Sequence, residues 1–208
     1  MTLGAGEANR TPLDVSRETN ERLAALVALL TKWNATVNLV SKDTLAQVWD
    51  RHIIDSAQIF NLGDSAASWV DMGSGGGFPG LVVAILAAEK RPLMQIVLIE
   101  SDQRKAAFLR QASQSLGISV KVISERIEAV EPLNADVVSA RALAPLPLLC
   151  SFASRHLAAN GAAIFLKGRN FQAELIAAQE HWNFSLESYQ SVTDVSSSVL
   201  VLKGIAHV

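Results

Sequence analysis

The spacing of hydrophobic positions changes along the chain, and the change marks out its organisation. Leu23, Leu26, Val27, Leu30 and Trp33 recur at the three-and-four spacing of one helix face, and Ser16 or Thr19 is placed to cap the start. A second helical zone is predicted from about Asp43 to Phe60, where Leu45, Val48, Trp49, Ile53 and Ile54 are apolar. Further on, short apolar runs alternate with helix-length segments. Strands are predicted at 68–72, 95–100, 119–123, 135–140 and 162–167. Helices are predicted from Pro79 to about Lys90, from Asp102 to Leu116, from about Pro147 to Leu157 and over about 171–181. NFSLESYQ and SSVLVLK look like a closing antiparallel pair. Strands separated by helices make βαβ units, so an α/β fold follows: a mainly parallel seven-stranded sheet, helices on both faces and a helical N-terminal extension. The expected division is a loose lead-in over 1–15, the extension over 16–62 and the α/β domain over 63–208. Ligands in such sheets bind beyond the carboxyl ends of the strands.

Composition narrows the class. Half of the 208 residues are hydrophobic and 18% are charged, enough for one well-buried core. Lys and Arg number 18 against 20 acidic residues, a net charge of -2 that excludes coating nucleic acid through bulk charge. A local basic face stays compatible with that balance. The single cysteine, Cys150, excludes an internal disulfide framework and a multi-cysteine metal site, and its apolar surroundings (146–152) suit a small buried hydrophobe. No metal site is expected. The longest apolar stretch, Gly80 to Ala88, is far short of the ~20 residues that span a bilayer. The opening MTLGAGEANR has no basic segment followed by an apolar core, so a cytoplasmic protein without a membrane anchor is expected.

The strongest chemical signal is V-D-M-G-S-G-G-G-F-P-G over 70–80. A strand delivers Asp71, and Gly73, Gly75, Gly76 and Gly77 then form a turn that admits positive φ and close approach of a ligand. The next helix presents its N-terminal amides and dipole end there. Gly75, Gly77 and Gly80 satisfy the dinucleotide pattern, yet Pro79 removes an amide that a pyrophosphate would use. S-adenosylmethionine carries an ammonium and a sulfonium and no phosphate, and Asp71 ahead of the glycines would pair with that ammonium directly or through water. Glu100, ending the second predicted strand, is placed to accept the hydroxyls of a cofactor ribose, which suits either cofactor. Arg141, at the end of the fourth, faces the ligand crevice.

Substrate-side candidates are Arg141, Lys167, His52 with Asp55, and Asn38. His52 and Asp55 share a helix face and equally suit a packing hydrogen bond between the extension and the sheet domain. Lys167, ending the fifth strand, is expected to direct its charge to the crevice mouth, against a phosphate. Arg104, Lys105 and Arg110 read as a solvated helix face. A nicotinamide-dependent oxidoreductase would need a catalytic tyrosine or histidine set, and the one tyrosine, Tyr189, falls in the closing strand pair. A non-catalytic ribosome-assembly factor would have little use for the complete glycine loop and Glu100.

These motifs also carry a resemblance. W-N-A-T-V-N-L-V-S (33–41), R-H-I-I-D-S (51–56), D-M-G-S-G-G-G-F-P-G (71–80), R-I-E (126–128), S-A-R-A-L-A-P-L (139–146) and L-K-G (166–168) stand in the order found in the RsmG family, also called glucose-inhibited division protein B, and the chain resembles it over most of its length. The resemblance implies a class I, Rossmann-like methyltransferase that uses S-adenosylmethionine to modify N7 of a guanine in 16S ribosomal RNA, in the 530-loop region. The substrate would be the RNA or a small-subunit particle, with no obligate protein partner and a monomeric enzyme. The family's cofactor contacts would map to Gly73, Phe78, Ile127, Glu128 and Arg141, with Glu100 at the ribose. One departure is Ser139-Ala140-Arg141, where many members have Ser-Arg directly. On physical grounds alone the acceptor stays open, because this fold hosts many.

Overall fold

The structure, a computed structural model, describes residues 13–208, so most of the expected lead-in lies outside the described residues. One helix, α1 (Arg17–Asn34), precedes everything else, and the Ser16 side chain caps it by accepting from the Thr19 amide. The sheet strands are β1 (Ser68–Met72), β2 (Gln95–Ile99), β3 (Lys121–Ile123), β4 (Ala135–Arg141), β5 (Leu157–Lys167), β6 (Trp182–Gln190) and β7 (Ser198–His207). They lie in the order β3-β2-β1-β4-β5-β7-β6. The first five run parallel, and β7 runs antiparallel to both β5 and β6. The expected seven-stranded, mainly parallel sheet is therefore present.

Side-chain alternation along β1 decides which layer each residue joins. Trp69 faces the layer of α4 (Gly80–Lys90) and α5 (Gln103–Leu116), while Val70 and Met72 face that of α6 (Leu146–His156) and α7 (Phe171–Gln179). Helix α4 is buried on all sides from Gly80 to Ala87, which explains its unbroken apolar sequence. Leu23, Leu26 and Leu30 of α1 complete the same hydrophobic cluster, so the N-terminal helix shares the core of the α/β layer.

The largest departure from expectation is the second helical zone. It forms a short α2 (Lys42–Leu45), a π-helical stretch at Trp49–Ile54, α3 (Asp55–Ala57) and a 3-10 turn at Phe60–Gly63. The Asp55 amide reaches back to the Asp50 carbonyl, the wide turn typical of π geometry and frequent at functional sites. Two smaller differences concern strands. β5 begins at Leu157, opposite Ala135, and its register then shifts so that Val137 pairs with Ala162. β3 is confined to three residues, Lys121–Ile123, and pairs with β2 alone as the sheet's edge.

Candidate functional site

At the carboxyl ends of β1, β2 and β4 lies a cavity of about 520 Å³, within the range of small-molecule sites. Gly73, Gly75, Phe78, Glu100, Ile127, Glu128, Arg141 and His52 all line it. The glycine loop forms one wall. Gly73, Gly75 and Gly77 have φ of +64°, +52° and +88°, where an L side chain is strained. At Gly76 a Cβ would sit 3.2 Å from the Leu39 carbonyl, so its absence lets residues 39–40 close against the loop. That segment is held by Asn34, which lies in the 33–41 motif but not among the expected site residues: its Oδ1 accepts from the Leu39 and Val40 amides at 2.8 and 3.0 Å.

Five amides of the loop and of the helix start after it already have partners within the protein. Ser74 N–H donates to the Ile99 carbonyl, while Gly77 and Phe78 N–H both donate to the Ser74 carbonyl. Gly75 N–H donates to Glu100 Oε2 at 2.8 Å, and Gly80 N–H to Asp71 Oδ2 at 3.2 Å. Two internal carboxylates thus take up two of the amides that a phosphate at a helix N-terminus could use. The loop serves as a close-fitting wall, and a cofactor without phosphate fits it.

Asp71 narrows one expectation. Its side chain is fully buried beneath the loop and does not line the cavity, which disfavours the direct one of the two expected routes to a cofactor ammonium and leaves the one through water. Besides Gly80 N–H it accepts from Ser139 Oγ at 2.7 Å, and Ser139 Oγ in turn accepts from Trp69 Nε1 at 2.9 Å. Burial pushes its carboxyl up to about 6, against the pull of these hydrogen bonds. Gly80 leaves room for it, since a Cβ there would lie 2.7 Å from Asp71 Oδ2. Asp71 ties β1 and β4 to the start of α4.

Glu100 does reach the cavity. Its two oxygens accept from the amides of Gly75 and Asp102, both at 2.8 Å, which fixes the carboxylate and leaves each oxygen a further lone pair. Those lone pairs suit two vicinal hydroxyls. Glu100→Ala is expected to weaken S-adenosylhomocysteine binding by roughly 1–3 kcal/mol, the loss typical of charge-assisted hydrogen bonds. Calorimetry with that ligand and with NAD tests this; the unaltered protein should bind no NAD. A lower melting temperature with unchanged affinity would show that Glu100 only braces the loop.

The opposite wall is built by the π-helical stretch. Arg141 Nη1 donates to the Arg51 carbonyl at 2.7 Å and to Asp55 Oδ2 at 3.0 Å, and Nη2 donates to His52 Nδ1 at 2.7 Å. A guanidinium only donates, so His52 Nδ1 is the acceptor and the ring proton sits on Nε2. Burial, then the charges of Arg141 and Arg51, pushes the His52 imidazole down to about 3, leaving it neutral at pH 7. Its ring stacks on Phe78 at 4.8 Å, and its buried Nε2–H has no partner among the described residues. Asp55 also accepts from Thr193 Oγ1 at 3.1 Å, tying in the β6–β7 connection.

Lys167 corrects a second expectation. Its ammonium is largely covered, paired with Glu174 of α7 and donating to the Ala144 carbonyl at 3.0 Å. It braces the end of β5 against α7. The adjacent Arg169 is exposed and carries no ion pair among the described residues. Asn38 is exposed and does not line this cavity. Of the expected solvated face, Arg104 pairs with Asp102 while Lys105 lines the cavity. Cys150 is buried, with its thiol pushed up to about 12 by that burial, and cannot act as a nucleophile.

Parallel strands β1 to β5, a glycine loop after β1 and a cavity-lining carboxylate after β2 define a class I, Rossmann-like methyltransferase. The fold is similar to that of a SAM-dependent methyltransferase from Aquifex aeolicus, with a TM-score of 0.59 at 10% identity, covering 83% of this chain and 96% of that one. The chain belongs to the family described as rRNA small subunit methyltransferase G, which it matches across residues 19–201. It is 51% identical over 197 residues to the ribosomal RNA small subunit methyltransferase G of Cereibacter sphaeroides, covering 94% of this chain and 96% of the relative. The protein of the same name from Ruegeria pomeroyi is 52% identical over 196 residues, with the same coverage.

Proposed function

We propose that this protein transfers a methyl group from S-adenosylmethionine to N7 of a guanine in 16S ribosomal RNA, in the 530-loop region. The observation that carries the reading is family membership across residues 19–201. The cavity supports it, because its wall suits a phosphate-free cofactor. Glu100 would hold the ribose, Ile127 and Glu128 would border the base, and the backbone at Gly73 and Gly75 would lie against the amino-acid end. When bound, S-adenosylmethionine supplies an electrophilic methyl group on a sulfonium.

Guanine N7 offers an in-plane lone pair and has no proton to lose, so the reaction needs no general base. The residues agree with that requirement. His52 is neutral and its Nδ1 is occupied, so it orients and does not abstract a proton. Phe78, flanked by the His52 ring and by Arg141 at 5.1 Å, lines the cofactor cavity beside the residues it shares with a neighbouring cavity and helps exclude water. The reading includes a monomer working in the cytoplasm, on RNA or on a small-subunit particle. No helix among the described residues is long and apolar enough to cross a membrane.

The test is chemical mapping of N7-methylguanine in 16S ribosomal RNA from cells with and without the gene. One modified position should disappear in the deletion strain and return with the unaltered protein. An identical modification pattern in both strains would remove the assignment.

A further inference from the structure

A second cavity, of about 630 Å³, shares His52, Arg141 and Ala142 with the first. It opens at the ends of β4 and β5 and the start of β7, bordered by the connection that precedes β7. Its charges are arranged in pairs. Arg51 meets Asp194 at 3.1 Å, Arg141 meets Asp55 at 3.0 Å, and Lys167 meets Glu174. Each carboxylate of the wall is matched by one cation, and Arg169 alone is left over, exposed at the rim.

Such a wall presents donors and acceptors side by side with little net field. It suits a neutral heterocycle whose edge carries both kinds of group, and it would give a free anion only one point of attraction. The remaining cation suits a phosphodiester next to that heterocycle. Two features of the shared wall mark it as functional. Ala142 is held at φ +51°, a left-handed conformation that strains an L residue and persists only where its surroundings enforce it. His52, 7% exposed, keeps its unpartnered Nε2–H in the same wall.

We propose that this second cavity is the acceptor site: it takes the purine base of an unstacked RNA nucleotide between the three ion pairs, with the adjoining phosphate on Arg169. The assignment rests on the RNA methyl transfer proposed above and adds where the base enters. A base must leave its stack to be modified, and a cavity continuous with the cofactor wall gives it a place to go. Lys167, fully engaged with Glu174, is a positioning residue for this cavity and has no free charge for the RNA.

Gly168 provides the test. It lines this cavity and not the first, and a Cβ there meets nothing within 4 Å, so a larger side chain occupies open space without disturbing the core. Gly168→Leu and Gly168→Phe should bind S-adenosylhomocysteine as the unaltered protein does. Methyl transfer to small ribosomal subunits from the deletion strain should fall with side-chain size, by roughly 100-fold for Phe, the usual scale for a displaced reactant. Arg169→Ala should raise the KM for subunits more than it lowers kcat, and reduce the slope of log KM against log salt by about 1. Full transfer by a folded Gly168→Phe protein, or an unaltered salt slope in Arg169→Ala, would overturn the assignment. If Phe prevents folding, the Leu variant and Arg169→Ala still decide it. Failure of the unaltered protein to methylate any subunit would be a different result, removing the RNA reading and this site with it.

Discussion

Gly75→Val is expected to abolish measurable binding of S-adenosylhomocysteine while leaving a folded protein. Gly75 sits at φ +52°, and among the described residues, its two chain neighbours aside, a Cβ placed there comes within 4 Å of the Gly73 carbonyl oxygen alone, at 3.8 Å. The substitution therefore meets no steric obstacle inside the protein and instead projects into the cavity. Its cost has two parts. A β-branched residue is a poor occupant of the left-handed region, where even an ordinary L residue is destabilised by roughly 1–2 kcal/mol. Relaxing that strain by rotating φ would pull the Gly75 amide off Glu100 Oε2, now 2.8 Å away, and release the carboxylate expected to hold the ribose. Affinity should drop by more than ~100-fold, or about 2.7 kcal/mol. Titration calorimetry reads the affinity, and circular dichroism shows that the fold persists. Gly73→Ala provides a contrast, because a Cβ there would lie 2.4 Å from Leu143 Cδ1 and should lower stability by displacing that side chain. A Gly75→Val protein that binds within tenfold of the unaltered one would show that the loop does not touch the cofactor.

The β–α alternation is legible because each parallel strand is a compact apolar run and each helix a longer periodic one. Where the period misleads, so does the expectation. Residues 43–60 carry helical spacing, yet their shape is set by Arg141 of β4, which gathers Arg51, His52 and Asp55 around one guanidinium. A π turn that answers to a residue some ninety positions away leaves no local signal. The early start of β5 is hidden for a related reason: Leu157–Gly161 has no strand-like run, and it joins the sheet only through pairing with Ala135.

The site divides along similar lines. Glycines with positive φ and an acid at a strand end are written into local sequence, so Gly73, Gly75 and Glu100 can be placed from the motif alone. Asp71 is harder to place, although a clue exists. Alternation along β1 puts it on the face of Trp69, towards α4, and Gly80 is the residue small enough to lie over it. Lys167 carries no such clue, since Glu174 closes on it only when α7 folds back over β5. The exposed cation of that region is Arg169, two positions along.

Arg141→Ala should combine a large loss of stability with loss of methyl transfer. The Arg141 and Asp55 side chains are only 15% and 17% exposed, and removal of the guanidinium takes the cationic partner from Asp55, whose Oδ1 keeps the bonds from Gln58 and Thr193, and a donor from the Arg51 carbonyl. Breaking such a covered pair from one side typically costs about 3–5 kcal/mol, because the remaining charge keeps its desolvation penalty. Denaturant unfolding at pH 7 measures this. Arg141→Lys should recover little, as one ammonium cannot address three acceptors set by a planar fork. Stability and activity can be separated by pairing the change with a second. Arg141→Met with Asp55→Leu removes both charges and should regain part of the stability, since an apolar replacement of a buried pair is often neutral, less the hydrogen bonds that Asp55 accepts from Gln58 and Thr193. It should not regain activity, because the rim shared by the two cavities has lost its donors. The His52 imidazole gives a further readout by NMR titration. Burial is the main cause of its depressed pKa and Arg141 the next, so without Arg141 its pKa should rise from about 3 while staying below its ordinary value. An Arg141→Ala protein with an unchanged unfolding midpoint and full methyl transfer would mean that this guanidinium neither holds the π-helical stretch nor shapes the rim the two cavities share.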